Sequence, residues 1–145
     1  MIEIINVNIE KEAKVLFALD NKAFSRDFDL PSRTVQEQIS FLRGCDVYML
    51  YESDMPVGFF ALKKNGDGIE LDAIVVIPEK QGKGYGKAMM DKILKLTKGN
   101  IVHLATHPRN TGAIIFYLKF GFEIYGWKDN YFGDGQPRLL LKRAR

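Results

Sequence analysis

Residues 74–87 read Ile-Val-Val-Ile-Pro-Glu-Lys-Gln-Gly-Lys-Gly-Tyr-Gly-Lys: an apolar run, a proline stop, a turn holding three glycines, and the opening of a helix. Gly82, Gly84 and Gly86 let backbone N–H groups converge on one point, and the helix that follows sets the positive end of its dipole there. Such a turn is a cradle for an oxyanion, and a pyrophosphate is its natural occupant.

Outward from this stretch the pattern alternates between strand and helix periods. Upstream, residues 2–7 read as a short strand, and Ala13, Leu16, Phe17, Asp20 and Phe24 have the spacing of an amphipathic helix. Residues 25–32 break it, and Pro31-Ser32 opens a second helix near 33–42 that ends at Gly44. Residues 47–51, a turn at Asp54-Met55-Pro56, and residues 57–62 form a hairpin; Asn65-Gly66 signals a second hairpin into 69–77. These three strands are therefore antiparallel.

Downstream, 85–97 carries Met89, Met90, Ile93, Leu94 and Leu96 at helical spacing, closed by Gly99-Asn100. Residues 101–105 form a short buried strand, parallel to its predecessor because a helical crossover separates them. A helix over 111–120 and strands at 122–127 and 138–141 follow, with a loop rich in Gly, Asp and aromatics between the strands. The expected fold is α/β, a mixed sheet flanked by helices in the order β-α-α-β-β-β-α-β-α-β-β.

The 145 residues are read as one domain, 1–145, large enough to fold without disulfide or metal. Apolar residues make up 46% and charged residues 27%, which excludes a disordered chain. One cysteine, Cys45, forms no internal bridge, and no Cys/His spacing suggests a metal, so a reducing, cytoplasmic setting is expected. Met1-Ile2-Glu3-Ile4-Ile5 has no basic flank of a signal peptide, and no segment reaches the length of a membrane span. The net charge of +3 is too small to argue for nucleic acid. It is concentrated between Lys80 and Lys98: Lys92, Lys95 and Lys98 suit a solvated helix face, whereas Lys83 and Lys87 lie where phosphates would be met.

Spacing discriminates among phosphate sites. A P-loop requires a glycine where Gln81 stands and a hydroxyl where Ala88 stands; a dinucleotide fingerprint requires a third glycine where Lys87 stands. Gln81-x-x-Gly84-x-Gly86 behind Val76-Ile77-Pro78 instead resembles the acetyl-coenzyme A signature of the GNAT N-acetyltransferase superfamily. Asn110-x-x-Ala113-x-x-x-Tyr117-x-x-x-Gly121-Phe122 resembles that family's later motif. The resemblance covers residues 46–142 closely and the first two helices in outline.

The resemblance implies acetyl-coenzyme A as co-substrate, with no metal. It implies that the backbone of Ile74, Val75 and Val76 pairs with the pantetheine arm and that Gln81, Gly82, Lys83, Gly84, Tyr85, Gly86 and Lys87 hold the pyrophosphate. It also implies that Asn110 touches the pantetheine or phosphate and that Tyr117 protonates the coenzyme A thiolate. Asn110, Ala113 or Ile114, and Tyr117 share one helix face, although Tyr117 also reads as a core residue beside Phe116 and Phe120.

For a general base, Glu70 and Asp72 alternate to one side of their strand, and Glu70 matches the glutamate base of the histone-acetylating branch. His107 and His103 are chemically suited as well, each with a packed or surface role as the alternative. In the ribosomal-protein branch the base is a glutamate on the strand where this chain has Ala105. Cys45 has no histidine beside it, which argues against an acyl-cysteine.

The acceptor is expected between the N-terminal helices and the final loop, with Phe24, Phe28, Asp72 and Tyr131 as substrate candidates and Asp20, Asp129, Asn130 and Phe132 nearby. The expected function is acetyl transfer to a primary amine of a small molecule or peptide by direct attack. A non-catalytic acyl-coenzyme A sensor on the same fold is the alternative. The expected partner is the amine alone, with neither nucleic acid nor membrane, and the chain is a monomer or homodimer.

Overall fold

The computed structural model describes residues 1–23 and 34–144. Seven strands form one sheet: β1 (Ile2–Val7), β2 (Asp46–Glu52), β3 (Met55–Asn65), β4 (Gly68–Val76), β5 (Ile101–Thr106), β6 (Glu123–Lys128) and β7 (Arg138–Arg143). Four helices complete the described fold: α1 (Ala13–Ala23), α2 (Val35–Leu42), α3 (Tyr85–Leu96) and α4 (Thr111–Lys119). The element order is the one expected. Phe24, Phe28 and the expected helix start at Pro31-Ser32 lie outside the described residues. Within them, Thr34 caps α2 by accepting the Glu37 N–H at 3.1 Å.

Strand order is β1-β2-β3-β4-β5-β7-β6. Each neighbouring pair is antiparallel except β4 and β5, which run parallel because α3 carries the chain across between them. On the interior strand β3, adjacent residues Phe59 and Phe60 are both fully buried. Successive side chains point to opposite faces, so both faces of the sheet are covered there. Leu16 from α1, Leu42 from α2, and Met89, Met90 and Ile93 from α3 supply fully buried cover.

The hairpin turns differ by a residue from their sequence signals. Ser53 and Asp54 take positive φ, 47° and 72°, so they form the first turn and Met55 and Pro56 already belong to β3. In the second, Gly66 (φ 61°) and Asp67 turn the chain while Asn65 ends β3, paired with Gly68. The shift frees the Asn65 amide to reach Glu70.

Two departures from regular pairing locate the site. Between β3 and β4 the register shifts: Ala61 faces Ala73 and Leu62 faces Leu71, which leaves Asp72 as the extra residue of a bulge. Between β4 and β5 the ladder has three rungs only, Gly68–Ile101, Ile69–Val102 and Glu70–His103. Beyond them β4 continues to Val76 beside β3, and β5 continues to Thr106 beside β7, unpaired with one another. The two strands part at Glu70.

Candidate active site

The edge of β4 that faces away from β3 is open past Glu70, so its backbone groups have no partner in the sheet on that side. The chain then enters the glycine turn through a short 3-10 turn at Pro78–Lys80. Gly82 (φ 76°) and Gly84 (φ 89°) are both left-handed, as the cradle requires, and Gly84 is the N-cap of α3. The first intrahelical bond runs from the Ala88 N–H to the Gly84 carbonyl, 3.0 Å. The N–H groups of Tyr85, Gly86 and Lys87 precede it and are unused within the helix.

Gly86 differs from the expected turn role. It lies inside α3 without positive φ, and a Cβ there would stand 3.6 Å from the Phe116 ring. It brings the N-terminus of α3 against α4. The side chains of the turn are also more committed than their positions suggested. Lys80 pairs with Glu52 at 2.6 Å, and the Tyr85 hydroxyl donates to the same carboxylate. These two bonds hold Glu52 below its ordinary pKa and raise both partners. Tyr85 therefore offers the turn its backbone N–H, and its hydroxyl anchors the turn to the end of β2. Lys87 pairs with Asp91 at 3.0 Å, and the Gln81 amide donates to the Val76 carbonyl at 2.9 Å.

Asn110 caps α4 with its carbonyl, accepting the Ile114 N–H at 3.0 Å, and its side chain makes no capping bond. Tyr117 is buried, its ring 5.7 Å from Phe116 and 5.8 Å from Phe122. Phe116 thus touches both the α3 N-terminus and Tyr117, which links the turn to the tyrosine through one aromatic contact.

At the fork of β4 and β5 lies a cleft of about 330 Å³. Glu70, on the last rung, and Asp72, in the bulge, both line it, so the two carboxylates share a side as expected. Ala105 lines it from β5, and Tyr131 and Phe132 from the final loop. Glu70 accepts from Asn65 Nδ2 at 3.2 Å and from the Tyr131 hydroxyl at 3.5 Å. Asp72 accepts from the Cys45 thiol at 3.3 Å. Burial raises the Asp72 carboxyl above its usual value against the pull of that thiol, and the neighbouring Glu70 charge adds to the rise. Burial also raises the Tyr131 phenol, helped by Glu70 and Asp72. The Cys45 thiol is pushed up to about 12 by burial and then by Asp72. It is a protonated donor and a poor nucleophile.

His107 is engaged through both ring nitrogens. Its ring is buried; Nδ1 accepts the Arg109 N–H at 3.1 Å, which puts the proton on Nε2, donated to Gln136 Oε1 at 3.0 Å. It ties the turn after β5 to the loop before β7. That loop is held further by Asn130 Oδ1, which accepts the Gly135 N–H at 2.6 Å, and by the buried Arg138 paired with the half-buried Asp134 at 3.1 Å. Tyr131 and Phe132 therefore reach the cleft from an anchored loop. His103 packs edge-on to Tyr125, ring centroids 6.0 Å apart.

Glu52, Cys45, Asn65 and Lys63 acquire their roles only through contacts made in the folded chain. Lys63, the cross-strand partner of Glu70, lines the cleft together with Lys64. The sequence carried one usable signal for Asn65, its place at the end of a hairpin strand. It carried none for Glu52, which meets Lys80 and Tyr85 across the fold. Among the described residues no cluster of His, Cys, Asp and Glu could hold a metal ion, and no helix is long and apolar enough to cross a membrane.

The model of the acetyltransferase (GNAT) family matches residues 13–122. Peptidyl-lysine N-acetyltransferase YjaB of Salmonella typhimurium is 35% identical over 90 residues, 62% of this chain and 57% of that protein. The chain thus spans little more than half the length of this curated relative. Among solved structures, a ribosomal-protein alanine N-acetyltransferase from Escherichia coli superposes with a TM-score of 0.84 at 19% identity, covering 99% of this chain and 93% of that one. A family member from Elizabethkingia anophelis, solved with acetyl-CoA bound, gives 0.80 at 19% identity, covering 99% and 98%.

Proposed function

The chain belongs to the GNAT acetyltransferase family, and from that premise we propose that it transfers the acetyl group of acetyl-coenzyme A to a primary amine by direct attack in a ternary complex. The observation that carries this reading is the fork: β4 and β5 part after Glu70, and the open edge of β4 leads into a left-handed glycine turn with free N–H groups at its far end. The residues fit the co-substrate. The open backbone of Ile74, Val75 and Val76 would pair with the amides of the pantetheine arm, and the N–H groups of Gly84 to Lys87 would receive the pyrophosphate. Lys83 lies close enough to lower the Glu52 pKa, so a cation stands beside the turn.

The thioester supplies the activated acetyl group. The chain supplies position and proton management. Glu70 and Asp72 stand at the fork, where the amine would approach the acetyl carbon, and Glu70 serves as base directly or through water. The Tyr117 hydroxyl would donate a proton to the departing thiolate. With the acids on Glu70 and Asp72, position 105 needs no carboxylate, so Ala105 there is consistent with this arrangement.

Thiol release from acetyl-coenzyme A, followed across polyamines, amino acids, aminoglycosides and short peptides, tests the proposal, with calorimetry for co-substrate binding. Turnover with one amine class supports it. Binding without thiol release for any amine overturns it in favour of an acyl-coenzyme A sensor.

A further inference from the structure

The cleft carries charges of both signs. Glu70, Asp72 and the exposed Lys63 and Lys64 all line the same cavity of about 330 Å³. Lys63 is the direct cross-strand partner of Glu70, a position where opposite charges ordinarily pair. Among the described residues no such pair forms: Glu70 is satisfied by the neutral donors Asn65 and Tyr131, and Asp72 by the neutral Cys45. Neutral donors bring no countercharge to either carboxylate. Lys63 is near enough to draw down the pKa of both Asp72 and Cys45, so its charge is felt inside the cleft. Phe41 and Phe132 supply apolar walls.

Resting on the acetyl-transfer reading, we infer that the acceptor is an amine that also carries an anionic group close to it, its ammonium directed to Glu70 and Asp72 and its anion to Lys63 and Lys64. Two sources share this chemistry: a free amino acid with its own carboxylate, and a peptide whose amino terminus is followed by an acidic side chain. A polyamine fits poorly, because its second ammonium meets a cleft lined by Lys63 and Lys64, and like charges brought together at a binding surface oppose association. The cavity volume suits one or two residues of such an acceptor.

Matched acceptors test this on the intact chain, with thiol release as the readout. Free amino acids are compared with their amides, peptides with aspartate at the second position with the same peptides carrying asparagine, and spermidine with both sets. The anionic member of each used pair is expected to have a kcat/KM about tenfold higher, expressed in KM. In Lys63→Gln/Lys64→Gln the preference should collapse while calorimetric acetyl-coenzyme A affinity is kept, which shows that the variant is folded. Preference among amino acids alone or among peptides alone identifies the source. Equal use of charged and neutral members, better use of spermidine, or a preference that survives the double substitution overturns the inference while acetyl transfer stands. Absence of thiol release with every acceptor removes the acetyl-transfer reading, and the inference with it.

Discussion

Tyr117 and Cys45 are both buried, and their hydrogens face different fates. The Tyr117 hydroxyl is proposed to protonate the departing thiolate, so Tyr117→Phe is expected to lower kcat by about 10²-fold with co-substrate affinity unchanged, read by steady-state kinetics beside calorimetry. Unchanged turnover would return Tyr117 to the aromatic cluster of Phe116 and Phe122 as a packing residue. Cys45 keeps its proton: its folded pKa is about 12 against an ordinary 9.0. The unfolded thiol ionises first as pH rises, so the folded state binds the extra proton and loses stability between these values. The advantage of the wild type over Cys45→Ala in urea is therefore complete below pH 9 and shrinks toward 12, which denaturation midpoints across that window would show. The place of Tyr117 on α4 was legible because it falls in a helical motif of fixed spacing. The Cys45–Asp72 bond was not, because it joins residues 27 positions apart through a bulge that no periodicity announces.

At the scale of elements, two glycines do opposite work. A Cβ at Gly58 would stand 2.3 Å from the Val75 carbonyl, so Gly58→Ala must push β3 away from β4, at a cost of about 3 kcal/mol in urea denaturation. A Cβ at Gly84 meets nothing within 4 Å, but φ is 89°. Gly84→Ala should cost about 1–2 kcal/mol of backbone strain and, by turning N–H groups away from the cradle, weaken co-substrate binding in calorimetry. Element order was readable throughout, since apolar periods of two and near four alternate cleanly and turn residues separate them. Turn registers were less so. Ser53-Asp54 rather than Asp54-Met55-Pro56 makes the first hairpin, because Pro56 adopts the extended geometry of a strand and its pairing is settled across the sheet.

Across the whole molecule, the cleft draws on β3, β4, β5, the end of α2 and the final loop, and the sequence showed only part of that convergence. Strand alternation and loop composition pointed to Glu70, Asp72 and Tyr131, and the fold brings these three to one cleft. Lys63, Lys64 and Phe41 carry no sequence signal, and only the fold brings them to one cavity. His107 shows the converse: a residue chemically suited to base catalysis spends both ring nitrogens on holding a loop.

The three-rung seam at Gly68–Glu70 carries a mechanical consequence. Within the sheet, the block β1–β4 meets the block β5–β7 only there, and a pantetheine arm lying along Ile74–Val76 would act as a splint across the two blocks. Acetyl-coenzyme A at a hundred times its Kd should then raise unfolding free energy by about 2.7 kcal/mol, with added hydrogen-exchange protection concentrated in 71–76 and 104–106, readable by mass spectrometry. The protein's resistance to unfolding would thus follow the supply of its own co-substrate.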